Sequence, residues 1–256
     1  MTAGSELKLL RAAHHFKEAQ DRLRAYKNPP PYMIRREENP ADGLSFWISL
    51  KKNPDDDIAL AAGDCIHNLR SALDHIIYEL SCHHRRKKHV GDTAFPILVD
   101  PDDWDQRGDM SGAHKLRAIP DLARAHIELL QPYHKQQDWG FWRREALLQL
   151  HQLDIADKHR KLNLAFANVP EHSVLYFHSG PQLKVIRVHE GRLDEGTETL
   201  LLRFDPTVDL KANVKPDTFL EVVFTELPVK EHDVEAALLH LIRCVEAVMI
   251  EVKKFF

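Results

Sequence analysis

Long apolar runs are missing from this chain. No stretch near 18 residues is free of charged side chains, and the opening MTAGSELKLLRAAHHFKEAQ carries charge every few residues where a secretion signal would be apolar. Neither a membrane span nor a signal peptide is expected, and the reading is cytoplasmic. Cysteine is sparse. Cys65, Cys82 and Cys244 are odd in number and contain no Cys-x-x-Cys pair, which argues against a disulfide framework or a thiolate zinc site and fits a reducing compartment. A surplus of basic charge is also missing. With 35 Lys and Arg against 39 Asp and Glu the net charge is -4, so the surface as a whole is no footprint for nucleic acid or anionic lipid, and such binding needs a local patch. Absent too are a P-loop, a dinucleotide fingerprint, Gly-x-Ser-x-Gly, His-Glu-x-x-His and Glu-x-x-His. The enzyme classes that depend on those motifs are thereby disfavoured.

What is present is ordinary globular material with one outlier. In 256 residues, 43% hydrophobic and 29% charged, a substantial core can be built, while histidine stands out at 17 residues. Leu9, Leu10, Ala13, Phe16, Ala19 and Leu23 recur at three and four, which predicts an amphipathic helix over 5–27, ended by the prolines at 29–31. Alternation on either side of Asn39-Pro40-Ala41-Asp42-Gly43 predicts a hairpin over 32–51. Asp55, Asp56 and Asp57 supply cap and first-turn acids for a helix running to about Cys82. There follow an irregular connection over 83–112, helices over 113–131 and 140–162, and strands in VLYFHS, LKVIRVHEG, ETLLLRF and FLEVVFTEL. A last helix over 231–254 places Val234, Leu238, Leu241, Val245, Val248 and Val252 on one face. Runs of helices and runs of strands predict an α+β fold. Its helical layer packs with a mostly antiparallel sheet, formed by the hairpin and a C-terminal meander, in a single domain spanning 1–256. The hairpin is too short to stand alone and is expected to join the later strands.

Chemistry gathers on two of these helices. In GDCIHNLRSALDHIIYEL (63–80), Cys65, Ile66, Leu69, Ala72, Leu73, Ile76, Ile77 and Leu80 fill one broad face. Asp64, His67, Asn68, Ser71, His75 and Tyr78 line the other. A plain solvent stripe would be Lys, Glu and Gln. Short bonding-competent side chains suit a packed or concave setting, where neighbours can hold each group. In LLQLHQLDIADKHRKL (147–162), Leu147, Leu148, His151, Ile155 and Leu162 share a face, with His159 on its flank and Asp154 and Lys158 within about two turns of His151. The two helices are expected to pack with their polar stripes facing, so that His67, Ser71 and His75 meet His151, Asp154 or His159.

The strings GDCIHNLRSALDH, ELLQPYH and LHQLDIADKHRKL, in this order behind a helix and a hairpin, resemble a family of uncharacterised bacterial and phage proteins sharing HNLRSALDH and DKHR. The likeness covers about residues 5–165 and brings no established activity. Arg70-Ser71-Ala72-Leu73-Asp74-His75 also resembles the Arg-x4-His mark of the HEPN superfamily of helical ribonucleases. That resemblance implies a metal-independent endoribonuclease or RNA-binding protein working as a homodimer, in a toxin or phage-defence setting. It makes His75 the acid/base, Arg70 the phosphate clamp and Ser71 a supporting polar group. His67, Asn68, Asp74, His151, Asp154, Asp157, His159 and Arg160 would support that site.

Two other readings stay open. His67, His75, His151 and Asp154 offer nitrogen and carboxylate ligands of the kind a divalent metal accepts between helices, which would make a metal-dependent hydrolase. A non-catalytic interaction module needs only a polar network locking helix to helix, with Arg70 paired to Asp74 at i+4. HHRRKKH (83–89) reads as a solvated helix exit or a phosphate contact, and Trp104, Trp139 and Trp142 are candidates for stacking bases.

Overall fold

The computed structural model describes residues 3–86, 91–105, 111–134, 141–168, 185–188, 191–204, 220–225, 229–230 and 232–256. In chain order these form α1 (Gly4–Lys27), β1 (Tyr32–Asn39), β2 (Gly43–Leu50), α2 (Asp56–Arg85), α3 (Asp102–Asp105), α4 (Gly112–Lys115), α5 (Asp121–Leu129) and α6 (Phe141–His159). Then come β3 (Leu164–Asn168), β4 (Val185–Val188), β5 (Gly191–Arg192), β6 (Glu198–Phe204), β7 (Leu220–Phe224) and α7 (Val234–Lys253). The fold is α+β. Two compact units divide the chain: Met1–Gln20, Ala59–Leu162 and Glu235–Phe256 make a helical unit, and Asp21–Ile58 with Asn163–Val234 make a strand-bearing unit.

The helical unit is built around α2. Its predicted apolar face is buried to completion, with Cys65, Ile66, Leu69, Ala72, Leu73, Ile76, Ile77 and Leu80 all without solvent contact. The six valines and leucines expected on one face of α7 are buried as well. The expected helix over 113–131 is two helices instead. Ile119 precedes Pro120, a position that disfavours helical backbone, and Pro120 in extended conformation stands as the cap from which α5 begins. The face of α1 also needs correcting. Leu10 and Ala13 are exposed, and Ala12, His15, Ala19, Leu23 and Tyr26 turn inward, because the buried line follows intervals of three and four from Ser5. On α6 the inward line is Ala146, Leu147, Leu150, Leu153 and Asp154; Ile155 is exposed and His151 half-buried, so the expected face is rotated.

In the strand-bearing unit the hairpin turns where expected. Asn39 Oδ1 accepts the Ala41 N–H at 2.9 Å, and Gly43, at φ 81, takes the left-handed backbone that closes the turn. The hairpin joins a later strand, as expected: β2 pairs antiparallel with β6, and the sheet order is β1-β2-β6-β4. A second antiparallel sheet, β5-β3-β7, contains β3, a strand the alternation test passed over. Edge strand β1 is exposed along nearly its whole length, and Arg35 reaches from it over the Trp47 ring to a two-point ion pair with Glu198 at 2.7 and 2.9 Å. VLYFHS lies outside the described residues.

Candidate functional site

The two polar stripes meet. Within the helical unit, α2 and α6 run past each other in opposite directions, with Gly63 against Asp157, His67 against Asp154 and Arg70 near His151. Gly63 makes this approach possible: a Cβ there would stand 2.2 Å from Asp157 Oδ1, closer than any real contact. A glycine inside a helix costs about 1 kcal/mol relative to alanine, so a lone mid-helix glycine was the one sequence signal of close packing here.

Asp154 is the centre of the seam. Its side chain is 3% exposed, yet it accepts from Lys158 Nζ at 2.6 Å and lies 3.3 Å from Nδ1 of His67, whose side chain is 50% exposed. A carboxylate oxygen held by a lysine ammonium accepts, so the Asp154 contact favours the tautomer with the proton on His67 Nδ1, leaving Nε2 directed away from Asp154. The result is a half-exposed imidazole with a favoured tautomer. Burial, then the neighbouring Asp64 and Asp154 carboxylates, push the Asp157 carboxyl up from its ordinary value. Burial, then the nearby Arg70 charge, push the His151 imidazole down, and its Nδ1 is buried without a hydrogen-bond partner.

The second half of the α2 stripe does something else. Arg70, 14% exposed, donates to Asp74 Oδ1 at 2.7 Å and to the Phe95 carbonyl at 2.8 Å, while the Phe95 N–H donates to the same Asp74 oxygen at 2.9 Å. Arg70 and Asp74 thus grip both polar groups of one buried peptide residue. His75 sits against the start of α1, where a side chain at position 4 would come within 2.9 Å of its Nδ1. Beside it Glu79 accepts from Ser5 N at 2.8 Å and Ser5 Oγ at 2.6 Å, satisfying one of the N–H groups that a helix start leaves open. Asn68 donates to the Asp64 carbonyl one turn back at 2.8 Å. Ser71 is half-buried, and His159 and Arg160 are exposed at the end of α6.

The structure therefore brings together His67 with Asp154, Asp157 with Gly63, and Arg70 with Asp74. It does not bring together Arg70 and His75, which face different partners five residues apart on one helix. Nor does it gather His67, His75, His151 and Asp154. His67 and His75 are about 12 Å apart along the α2 axis at 1.5 Å per residue. Among the described residues no group of three or more His, Cys, Asp or Glu side chains is placed to hold a metal ion. Phe95, Glu79 and Ser5 were not read from the sequence, since nothing in a sequence pairs a helix stripe with backbone some 20 to 75 residues away. Trp104 is buried rather than free to stack a base, Trp142 is exposed, and Trp139 lies outside the described residues. Burial pushes the Cys65 and Cys244 thiols up to about 12, which leaves neither as a nucleophile at neutral pH. No helix among the described residues is long and apolar enough to cross a membrane. Compared with family models, curated proteins and solved structures, the chain matches none.

Proposed function

We propose that the protein is a metal-independent endoribonuclease of the cytoplasm whose proton transfer runs through His67, held by Asp154. The observation that carries this reading is the pairing of a buried carboxylate with a half-exposed imidazole, with the Lys158 ammonium on the same carboxylate. In that arrangement His67 Nε2 takes the proton of a ribose 2′-hydroxyl, and the 2′-oxygen attacks the adjacent phosphorus. The bond from phosphorus to the 5′-oxygen breaks, the leaving oxygen takes a proton from water, and His67 returns its own to solvent. Lys158 opposes the charge that grows on the phosphate, a role open to a fixed cation as well as to a metal. The sequence resemblance to helical ribonucleases, carried by Arg70 and His75, is what points to RNA as substrate; the proton-transfer role given to His67 rests on its pairing with Asp154 alone.

A purely structural seam is the second reading, favoured by the Arg70, Asp74 and Phe95 bonds. One experiment separates the two. Labelled single-stranded RNA is incubated in chelator with the wild type, His67→Ala and Asp154→Asn. Wild-type protein is expected to leave 2′,3′-cyclic phosphate ends, and His67→Ala to lose about 100- to 10,000-fold in rate at an unchanged melting temperature. No wild-type cleavage, or undiminished cleavage by His67→Ala, overturns the nuclease reading.

A further inference from the structure

A second charged feature lies at the far end of α2, 18 residues beyond His67, or about 27 Å along the helix axis. There Arg85 Nη2 donates to the Arg117 carbonyl at 2.7 Å, tying the helix end to the segment after α4. Arg117 Nη1, Lys115 Nζ and His114 Nε2 converge on the Asp92 carboxylate at 3.2, 2.6 and 2.8 Å. Arg86 is exposed at the end of the same helix. On α2 itself, the exposed His83 ring packs against Phe256 with centroids 5.6 Å apart, and Phe256 is 47% exposed.

We infer that Arg85, Arg86, Lys115 and Arg117, with the His83 and Phe256 rings, form a binding surface for single-stranded nucleic acid, distinct from the α2–α6 seam. The choice of RNA rests on the nuclease reading; the surface itself rests on its charge and rings. A helix C-terminus favours cations and accounts for Arg85 and Arg86. Lys115 and Arg117 come from another segment, pair with Asp92 and crowd the same place. Lys115 and Arg117 share one carboxylate, Asp92, and Arg85 and Arg86 stand beside them at the helix end, an excess of positive charge whose mutual repulsion a polyanion relieves. Tracking a phosphate backbone with cations while stacking a base on an exposed ring is how single strands are held without sequence reading. The acids of α3, which packs on α4 through Trp104 against Gly112, bound the strand's course on that side. Anionic lipid is the competing polyanion, but docking on a bilayer takes a broad apolar face, and here, among the described residues, Phe256 is the one apolar ring beside the cations.

The test uses the full chain and a 2′-O-methyl oligoribonucleotide, which cannot be cleaved, with anisotropy read across a salt series. Lys115→Gln/Arg117→Gln should weaken binding about tenfold or more and flatten the log–log salt slope by about 1.4, at roughly 0.7 per lost phosphate contact on a single strand. Arg85→Gln/Arg86→Gln, on the exposed helix end, should do the same without touching the Asp92 contacts. Phe256→Ala should weaken binding about fivefold or more with the slope unchanged, as loss of one stacked base does. Unchanged affinity and slope in both double variants overturn the proposal, as does wild-type binding to phosphatidylglycerol vesicles but not to the oligonucleotide. Cleavage of ordinary RNA is measured alongside. Binding without cleavage sinks the nuclease reading alone, and cleavage with patch-independent binding sinks the surface alone.

Discussion

Along α2, His67 is bonded to a different kind of partner from Arg70, Asp74 and Glu79. His67 meets a side chain of α6, and half of its ring stays exposed. Arg70 and Asp74 meet the backbone of Phe95, and Glu79 meets the first turn of α1. A side chain bonded to buried backbone satisfies a group that would otherwise be costly, so it stabilises the fold and has little freedom left for chemistry. A side chain oriented by another side chain, with a ring nitrogen to spare, is positioned without being consumed. The surroundings of the two halves differ in strain as well. Asp74 is matched by a cation at 2.7 Å, whereas Asp157 of α6, which faces the first half at Gly63, has its proton affinity pushed up by burial and then by neighbouring carboxylates.

Ways to break this comparison begin with the core that both halves share. Leu73→Ala, at a site without solvent contact, is expected to cost about 2 to 5 kcal/mol in chemical denaturation, which sets the scale for the rest. Gly63→Ala comes next. Its Cβ would stand 2.2 Å from Asp157 Oδ1, so overpacking of about 1 to 3 kcal/mol is expected. Pairing it with Asp157→Ala should recover much of that loss, because the clash needs both side chains; strictly additive losses would place the contact elsewhere.

The smallest effect is in pH. His151 sits below its ordinary 6.5 in the folded chain, so as pH falls past 6.5 the unfolded chain takes up a proton that the folded chain does not. Its contribution to stability is present above that value and is lost as pH falls through the folded one. His151→Leu should therefore show a shallower acid-side loss in urea titrations than the wild type, and an unchanged pH slope would show that this imidazole is not strained by burial.

The buried faces of α2 and α7 were legible because their apolar spacing persists over five or more turns, and a long periodic signal overrides local noise. The facing of α2 and α6 was legible from chemistry, since two helices with short polar stripes need each other's bonds. The break at Pro120 could have been read from Ile119-Pro120, where steric exclusion outweighs the apolar pattern of 116–130. What stayed hidden was the choice of partner. Arg70 looked equally suited to a phosphate and to Asp74, and the Phe95 carbonyl beside Asp74 gives both of its terminal nitrogens a fixed use. His75 and His67 look alike in sequence, eight residues apart; the difference is that one faces a helix start and the other a buried carboxylate.

The contrast between the locking half of α2 and the strained α6 face that meets its other half is tested most directly by thermal melting of Asp74→Asn beside Asp157→Asn at neutral pH. Both substitutions remove one charge and keep the shape. Asp74→Asn leaves a mostly buried Arg70 without its counter-charge and should lower the melting temperature. Asp157→Asn removes a carboxylate whose burial and acidic neighbours disfavour its ionised form, and should raise it. Opposite signs are the expected result. A loss of stability in both variants would mean that α2 and α6 are joined by one continuous structural lock.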